Sequence, residues 1–559
     1  MTLACSLIGS PDKQPALEEL AIAPSDADVT IFTGGVIYTG LPETPTAEAV
    51  AVTKGVIVAV GDRKIIERSA SGKVAIVDLD GATLFPGFTD AHAHLLGIGM
   101  RALTLNLDLE DVGSVAELVS IVAANVQNAD EGEVIFGRGW IETGWPEGRM
   151  PSRIDLDPIS RNNPVVLRRA DGHAVVVNSA AFKAVGIDDD TPDPDGGRIE
   201  RDQFGRATGI LVDNAMGLVA NLISAPSQAK KREAYAKGSD VYAAYGWTGL
   251  HNMSANPDDV DMMEALSAEG AIDIRVYNAV DQAGLKRLET SGPRATENGH
   301  VITRTVKLYA DGALGSRGAL LAKPYSDAPE TSGLMLLSEA DAKALFTRAI
   351  AADIQIVTHA IGDLGNTNIL DWYEDVFTEN PEASDLRWRI EHAQVLDTDD
   401  IPRFAALGVI PSMQPSHAIG DLFFAPDRLG PDRLDGAYAW RALIDAGAII
   451  PGGSDAPVER GDPLIEFYAA VARRGLDGTQ TPDWRPDQAI TRAEALKMFT
   501  IWPAMASFQE DVLGTIEPGK RADFTVFSKD IMTVPEEEIL SAKPVMTVVD
   551  GKIIFRTKG

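Results

Sequence analysis

Residues 85–95 read Phe-Pro-Gly-Phe-Thr-Asp-Ala-His-Ala-His-Leu. A Pro-Gly turn begins this stretch, and apolar residues surround two of the chain's eight histidines, His92 and His94. In a β-strand the side chains at positions i and i+2 point to the same face, so these two imidazoles lie side by side. Imidazole is the commonest metal ligand in proteins. The stretch therefore predicts a strand that carries part of a metal site, although a lone His-x-His pair also occurs as a surface coincidence.

Beyond this stretch, strand-like apolar runs alternate with helical stretches, which is the pattern of a parallel sheet with crossover helices. Eight parallel strands with helices between them close a (β/α)8 barrel, so we predict an α/β fold of the TIM-barrel type. The eight runs are Gly87–His94, Trp247–Asn252, Asp273–Ala279, Val301–Ala310, Ile354–Ala360, Arg387–Ala393, Val409–Met413 and Ala448–Ser454.

The two ends of the chain have a different texture, with short β-like runs separated by turn residues. Residues 28–85 and 511–559 together predict one small β-sandwich domain that encloses the barrel at residues 86–510. A long interval, about residues 95–246, separates the first two barrel runs and predicts an insertion that forms a lid or pocket wall at the barrel mouth. Residues 1–27 are rich in Pro, Ser and acidic residues and predict a loose leader.

Composition limits the possible partners. The 559 residues are 45% hydrophobic and 24% charged, which is typical of a folded globular protein. A net charge of -32 argues against binding nucleic acid or anionic membranes, since both need a basic surface. No run is long and apolar enough to span a bilayer. A small-molecule substrate is therefore the expected partner, and a homodimer is left open.

The chain has a single cysteine, Cys5, which excludes an internal disulfide and a Cys-based zinc site. Any metal must bind to His, Asp, Glu or a modified Lys. The compartment stays open: it is cytoplasmic if Met1 is the true start, and periplasmic or lipid-anchored if Cys5 is the remnant of a lipoprotein signal.

Catalytic groups of a TIM barrel collect at the C-terminal ends of its strands. At the ends of later runs, the sequence places Lys307, His359, His392 and Asp455. Each residue alone has an ordinary explanation, such as a hydrogen-bonded core histidine or an aspartate that caps a turn. Their joint placement at the ends of different strands favours one shared site.

Lys307 is the most informative of these residues. Strand parity directs its side chain into the barrel, where an unpaired lysine is rare. One explanation is an ion pair with Asp311 or Asp455. The other is carboxylation by CO2, which turns the amine into an anionic oxygen ligand able to bridge two metals.

These motifs resemble the amidohydrolase superfamily, and within it the branch of N-substituted formamide deformylase and D-aminoacylase-like enzymes. The resemblance extends to residues 518–524, Pro-Gly-Lys-Arg-Ala-Asp-Phe, and to Gly139-Trp140, Asp171-Gly172-His173 and Asn178-Ser179 in the insertion. It implies two divalent ions, with zinc as the expected metal. The implied ligands are His92, His94 and Asp455 for one ion, His359 and His392 for the other, and carboxylated Lys307 as the bridge.

The implied reaction is hydrolysis of a non-peptide C–N bond, in an amide or N-substituted formamide of a small organic molecule. A hydroxide that bridges the two metals attacks the carbonyl, and Asp455 takes its proton and delivers it to the leaving nitrogen. The same fold and metals also serve carbamates, esters, lactones and cyclic amides, since a fold does not choose its substrate. A non-catalytic scaffold relative is the alternative from another class, and a missing metal ligand would be its mark.

Substrate contacts are less sharply predicted. His173 and His417 are candidates for holding the substrate carbonyl or a polar tail, and each is equally well explained as a loop histidine. Trp140 could form an apolar pocket wall or simply pack within the lid, and Asp311 is a further candidate for substrate binding. Asp90, on the same strand face as the His pair, either supports a ligand from below or is a polar group of the barrel floor.

Overall fold

A computed structural model describes the protein over residues 27–107, 112–140, 142, 145–169, 174–194, 197–223, 226–481 and 484–557. The described chain divides into two compact units. One consists of residues 99–234, and the other of residues 27–98 together with everything from residue 235 onward. Apart from residue 27, the predicted leader lies outside the described residues. Among the described helices, none has the length and apolar character needed to cross a bilayer.

The larger unit contains a parallel barrel sheet, which confirms the predicted fold class. Its seven parallel strands, called barrel strands 1 to 7 in chain order, have strand 1 at one edge and strand 7 at the other. They are Phe88–Ala93, Trp247–Ala255, Arg275–Val280, Val301–Tyr309, Gln355–Ala360, Arg389–His392 and Ile410–Ser412. A two-residue strand, Arg294–Ala295, pairs antiparallel with barrel strand 4.

Helices follow the barrel strands, as the alternating pattern predicts. Their buried faces are apolar and pack on the sheet, so the barrel is covered on its outside and its strands are buried on both faces. The helices that follow strands 2 to 7 and close the chain are Val260–Ala268, Leu285–Ser291, Glu339–Ala351, Asp363–Glu379, Ile401–Leu407, Pro415–Asp421, Ala425–Leu429, Trp440–Asp445, Pro463–Ala472, Arg492–Phe499, Ile501–Ala506 and Glu536–Ile539.

The predicted eighth strand, Ala448–Ser454, is not a regular strand, and this corrects the prediction. The segment still closes the barrel, because Gly452 accepts a hydrogen bond from Ala91 of strand 1 and Gly453 donates one to Met413 just after strand 7. Pro451 has no N–H to donate, which interrupts the regular ladder. Gly453 must also lack a side chain, because a Cβ there would lie 2.4 Å from the backbone nitrogen of His92.

Both ends of the chain contribute to one eight-stranded sheet in the same unit. Its long first strand, Val29–Tyr38, pairs with Val74–Asp78 through its first half and with Thr83–Pro86 through its second. The switch occurs at Gly34 and Gly35, where a Cβ would lie about 2 Å from an Asp78 carboxylate oxygen and from the Ala82 carbonyl oxygen, respectively. The remaining strands are Thr46–Thr53, Val56–Gly61, Phe524–Phe527, Pro544–Val549 and Lys552–Arg556, and the helix Arg63–Ser69 packs beside them.

A buried ion-pair cluster joins this sheet to the base of the barrel. Arg275, the first residue of barrel strand 3, lies 2.6 Å from an Asp523 carboxylate oxygen and 2.5 Å from Asp550. His300 contacts the other Asp550 oxygen at 2.8 Å, and Arg521 also pairs with Asp550. Because buried charges are stable only when paired, this cluster fixes the sheet against the barrel.

The smaller unit has its own six-stranded mixed sheet. The strands are Leu105–Asn106, Ile135–Trp140, Val165–Arg169, Ala174–Val177, Gly197–Arg201 and Ala207–Asp213. The helices Val115–Asn128, Arg153–Leu156 and Ser179–Val185 belong to this unit, and its apolar side chains form two separate clusters. The helices Leu95–Leu103 and Gln228–Tyr245 each cross a boundary between the units.

Candidate metal centre

The two histidines of the opening stretch lie at the end of barrel strand 1, beside Asp455. The His94 Nε2 atom lies 3.0 Å from Asp455 Oδ1, and His92 Nε2 lies 3.5 Å from the same oxygen. Ligand atoms of the three residues all lie within 4.8 Å of one another, so the three side chains could hold one metal ion. His92 is fully buried, whereas the His94 side chain keeps about a third of its surface exposed.

Asp455 is held in place by backbone contacts with strand 1. Its N–H donates to the His92 carbonyl over 2.6 Å, and its φ of 58° lies in the left-handed region. Asp90, one layer deeper, accepts hydrogen bonds from the backbone N–H groups of His92 and Ser454 and from the Ser454 and Tyr242 hydroxyls. Asp90 therefore ties strand 1 to the closing segment and supports both His92 and Asp455 from below.

A buried ion pair of two side chains, Glu391 and Arg389, orients the His92 ring. Its Nδ1 atom lies 2.5 Å from Glu391 Oε2, and the Glu391 carboxylate pairs with Arg389 over 2.7 Å. Arg389 also contacts His251 Nδ1 over 2.8 Å, and none of the Arg389 and Glu391 side-chain surface is exposed. A carboxylate that accepts the Nδ1 proton leaves Nε2 with its lone pair free to bind a metal.

His392 and His359 stand beside His92. The His392 ring centroid lies 4.6 Å from that of His92 and 4.6 Å from that of His359. His392 Nδ1 lies 2.7 Å from the Gln414 side-chain oxygen, so its Nε2 is also free for a metal. The His359 Nε2 atom lies 3.5 Å from both the Gly312 carbonyl and an Asp311 oxygen.

Lys307 lies beside the His92 ring. Its side chain is buried inside the barrel, and Nζ lies 3.5 Å from His92 Nε2. The ion pair with Asp311 or Asp455 is not formed, and Lys307 makes no salt bridge within the part of the chain that the structure describes. Burial lowers the pKa of the Lys307 amine to about 8, more strongly than the nearby Glu391 and Asp455 carboxylates raise it. The neutral amine is therefore more accessible near neutral pH than in an exposed lysine.

Burial also keeps the imidazoles neutral. It lowers the pKa of His92 to about 4 and that of His359 to about 3, with the Lys307 charge adding to both shifts. For His392, burial and the neighbouring His359 hold the pKa well below its usual value. Burial alone would raise the Asp455 pKa, but the surrounding histidines keep it below its usual range. Neutral imidazoles and an ionised carboxylate are the forms that bind divalent metals.

Trp140 and Asp311, two predicted substrate contacts, make contacts within the protein. All of Trp140 is buried in an apolar cluster of the smaller unit, and its indole N–H donates to the Leu167 carbonyl, so it presents no free surface to a ligand. The Asp311 carboxylate accepts three backbone N–H bonds, from Leu320, Ile361 and Gly362, and therefore orders the chain after strand 4. His173 lies outside the described residues.

His417 does lie at the site. It belongs to the helix Pro415–Asp421 that follows strand 7, and its Nε2 atom lies 3.7 Å from Asp455 Oδ2. With His392 and Asp455 it forms a second group whose ligand atoms lie within 4.8 Å of one another.

The residues that orient the imidazoles were missed by the sequence reasoning. Glu391 directly precedes His392, and strand parity places Arg389 and Glu391 on one face, a signal that an inward ion pair exists. No comparable signal identifies Gln414, or the Met253 carbonyl that faces His94 Nδ1 over 2.9 Å. These contacts depend on which strands become neighbours in the barrel.

A parallel barrel with imidazoles and a carboxylate at its mouth is the architecture of a metal-dependent hydrolase of the TIM-barrel type. Comparisons with known proteins agree. The model of the Amidohydrolase family matches residues 75–555. Putative amidohydrolase YtcJ of Bacillus subtilis is 34% identical over 94% of this chain and 99% of its own length. N-substituted formamide deformylase of Arthrobacter pascens is 29% identical over 92% of this chain and 96% of its own length.

A solved structure of an uncharacterized metal-dependent hydrolase from Pyrococcus horikoshii superimposes with a TM-score of 0.74. It is 28% identical and covers 91% of this chain and 99% of its own. The chain belongs to the amidohydrolase family, and it is a hydrolase. The predicted family and enzyme class are thereby confirmed.

Proposed function

We propose that this protein hydrolyses the C–N bond of an amide or N-substituted formamide of a small organic molecule, using two divalent ions. The observation that carries the proposal is the orientation of the imidazoles. The Nδ1 atoms of His92, His94 and His392 each face an oxygen acceptor, which favours the tautomer whose Nε2 lone pair is free to bind a metal. A site of neutral imidazoles and carboxylate oxygens fits zinc.

In this proposal His92, His94 and Asp455 would hold one ion, and His359 and His392 would hold the other. Lys307, if carboxylated on Nζ, would supply an oxygen ligand to both. Its neutral fraction supports this role, because only an uncharged amine can react with CO2. When bound, the ions supply a water of lowered pKa and polarise the substrate carbonyl.

In this proposal a side chain of the protein transfers the proton. The Asp455 carboxylate, held against strand 1 by its backbone N–H, orients the attacking water and accepts its proton. It returns that proton to the nitrogen that leaves. Asp90 and Glu391 touch no substrate in this scheme, and they keep the Asp455 backbone and the His92 ring in place.

The substrate class rests on similarity rather than on the site itself. The relative named N-substituted formamide deformylase matches this chain over nearly all of both lengths, which supports an N-formyl or N-acyl substrate. The same side chains can hydrolyse a carbamate, ester, lactone or cyclic amide, since each presents an equivalent carbonyl carbon.

Turnover by the zinc-loaded enzyme of a panel of N-formyl, N-acyl, carbamate, ester and lactone compounds tests the proposal. We expect the highest kcat/KM on an N-formyl or N-acyl compound, with amine release equal to acid release. Asp455→Asn is the matched control and should abolish that turnover. Activity confined to esters or lactones would overturn the C–N assignment, and no turnover of any compound by the metal-loaded protein would favour a scaffold role.

A further inference from the structure

One ring nitrogen of His417 is an unsatisfied hydrogen-bonding group within the described part of the protein. Its Nε2 atom is buried and has no hydrogen-bond partner among the described residues, although it lies only 3.7 Å from Asp455 Oδ2. Its ring stacks at 19° to that of His392 with centroids 6.0 Å apart. A buried polar atom without a partner costs free energy, which makes a ligand at this position the natural explanation.

The hydrogen-bond partner of Nδ1 distinguishes His417 from the three histidines proposed to bind metal. In His92, His94 and His392 the Nδ1 atom faces an oxygen, which can only accept a hydrogen bond. Behind His417 the Nδ1 atom instead faces the side-chain amide nitrogen of Gln394 over 3.0 Å. An amide nitrogen donates, so His417 Nδ1 carries the lone pair and Nε2 carries the hydrogen.

This tautomer decides what His417 can do. A ring nitrogen that carries a hydrogen cannot bind a metal, so His417 is not a third ligand beside His392 and Asp455, despite the short distances among their ligand atoms. It presents an N–H donor to the reacting centre. The backbone at Gln394 is held in place, because its main-chain carbonyl accepts the Tyr438 N–H over 2.7 Å.

We propose that the Nε2–H of His417 donates a hydrogen bond to the carbonyl oxygen of the substrate, and that Gln394 fixes the tautomer that makes this possible. The proposal rests on the function proposed above. As the water adds to the carbonyl carbon, the electron pair of the C=O bond moves onto oxygen, and the N–H stabilises that charge. No proton leaves His417, and the oxygen regains its double bond when the amine departs.

The position of His417 sets one requirement for the substrate. The ligand must present an oxygen that gains negative charge beside Asp455, which any acyl or formyl carbonyl does. Donors of this kind act most strongly in the transition state, so their removal lowers kcat more than it raises KM.

The experiment compares His417→Phe, Gln394→Glu and Gln394→Met in the zinc-loaded enzyme. His417→Phe keeps the ring and removes both nitrogens, and we expect unchanged metal content with kcat lower by about 10²–10³-fold. Gln394→Glu keeps a hydrogen bond to the ring but makes the partner an acceptor, so the ring carries its hydrogen on Nδ1 instead of Nε2 and kcat should fall nearly as far. Gln394→Met leaves both tautomers accessible and should cost less.

Metal content separates this proposal from the proposed function, because it is measured without a substrate. If His417→Phe loses about one metal equivalent, or binds zinc at least tenfold more weakly, His417 is a ligand and the proposal is wrong. Gln394→Glu with wild-type kcat would also overturn it, even if the ring variant folds poorly. Failure of wild-type enzyme to hydrolyse any amide would instead count against the proposed function.

Discussion

Replacing Glu391 by Gln tests whether the buried Glu391–Arg389 ion pair beside His92 strengthens metal binding. The substitution keeps the shape of the side chain and removes the charge that lies 2.5 Å from His92 Nδ1 and 2.7 Å from Arg389. Losing a carboxylate partner behind a metal-binding histidine typically weakens metal binding by about 10–100-fold. The Arg389 guanidinium, with no exposed surface, is also left without its counter-charge, which costs about 3–5 kcal/mol of folding stability.

Two measurements on the same protein separate these effects. Urea unfolding of the metal-free protein gives the stability loss, and competition with a chelating indicator gives the zinc affinity. The double variant Arg389→Met with Glu391→Gln removes both charges, so it should recover much of the stability but none of the metal affinity. If Glu391→Gln binds zinc as tightly as the wild type, Glu391 does not support His92 and the reasoning is wrong.

Three further predictions concern other parts of the molecule. Gly453→Ala places a Cβ 2.4 Å from the His92 nitrogen and 2.7 Å from an Asp90 oxygen, so it should displace strand 1 and lower zinc affinity, as the same chelator competition would reveal. Asp455→Asn should keep much of its metal while turnover falls by at least about 10²-fold, and unchanged turnover would remove its role in proton transfer. Burial would raise the Asp550 pKa, but hydrogen bonds from His300 and Arg521 hold it below its usual range. Asp550 therefore stabilises the fold above pH ~4 and this contribution is lost as pH falls below that, so the stability deficit of Asp550→Asn in urea should shrink at acid pH.

Much of the fold was predictable because it depends on local periodicity. The alternation of apolar runs with helical stretches places seven barrel strands close to their observed bounds, and the β-like runs at both ends of the chain do enter one sheet. The eighth run was misassigned because the apolar character of residues 448–454 suggests a strand. Pro451 and the following glycines were the available signal, since they favour close approach over a regular ladder.

The candidate site was predictable only in part. Histidines at strand ends are visible in the sequence because the barrel directs strand ends to one mouth. The role of Trp140 stays a prediction, because an aromatic residue beside a glycine is explained either as a pocket wall or as lid packing. The tautomer of His417 depends on Gln394, and a contact between the chain after strand 6 and the helix after strand 7 exists only once the barrel has closed.

The most direct test of the two-metal proposal is the zinc content of the purified protein, measured by elemental analysis after loading and removal of free metal. We expect about two equivalents in the wild type, and no more than about one in Lys307→Ala, because the bridging ligand is lost. The His300→Ala variant, altered at the base of the barrel, is the control and should keep the wild-type content. A wild type that holds no more than one equivalent, or a Lys307→Ala variant that still holds two, would contradict the bridged two-metal site.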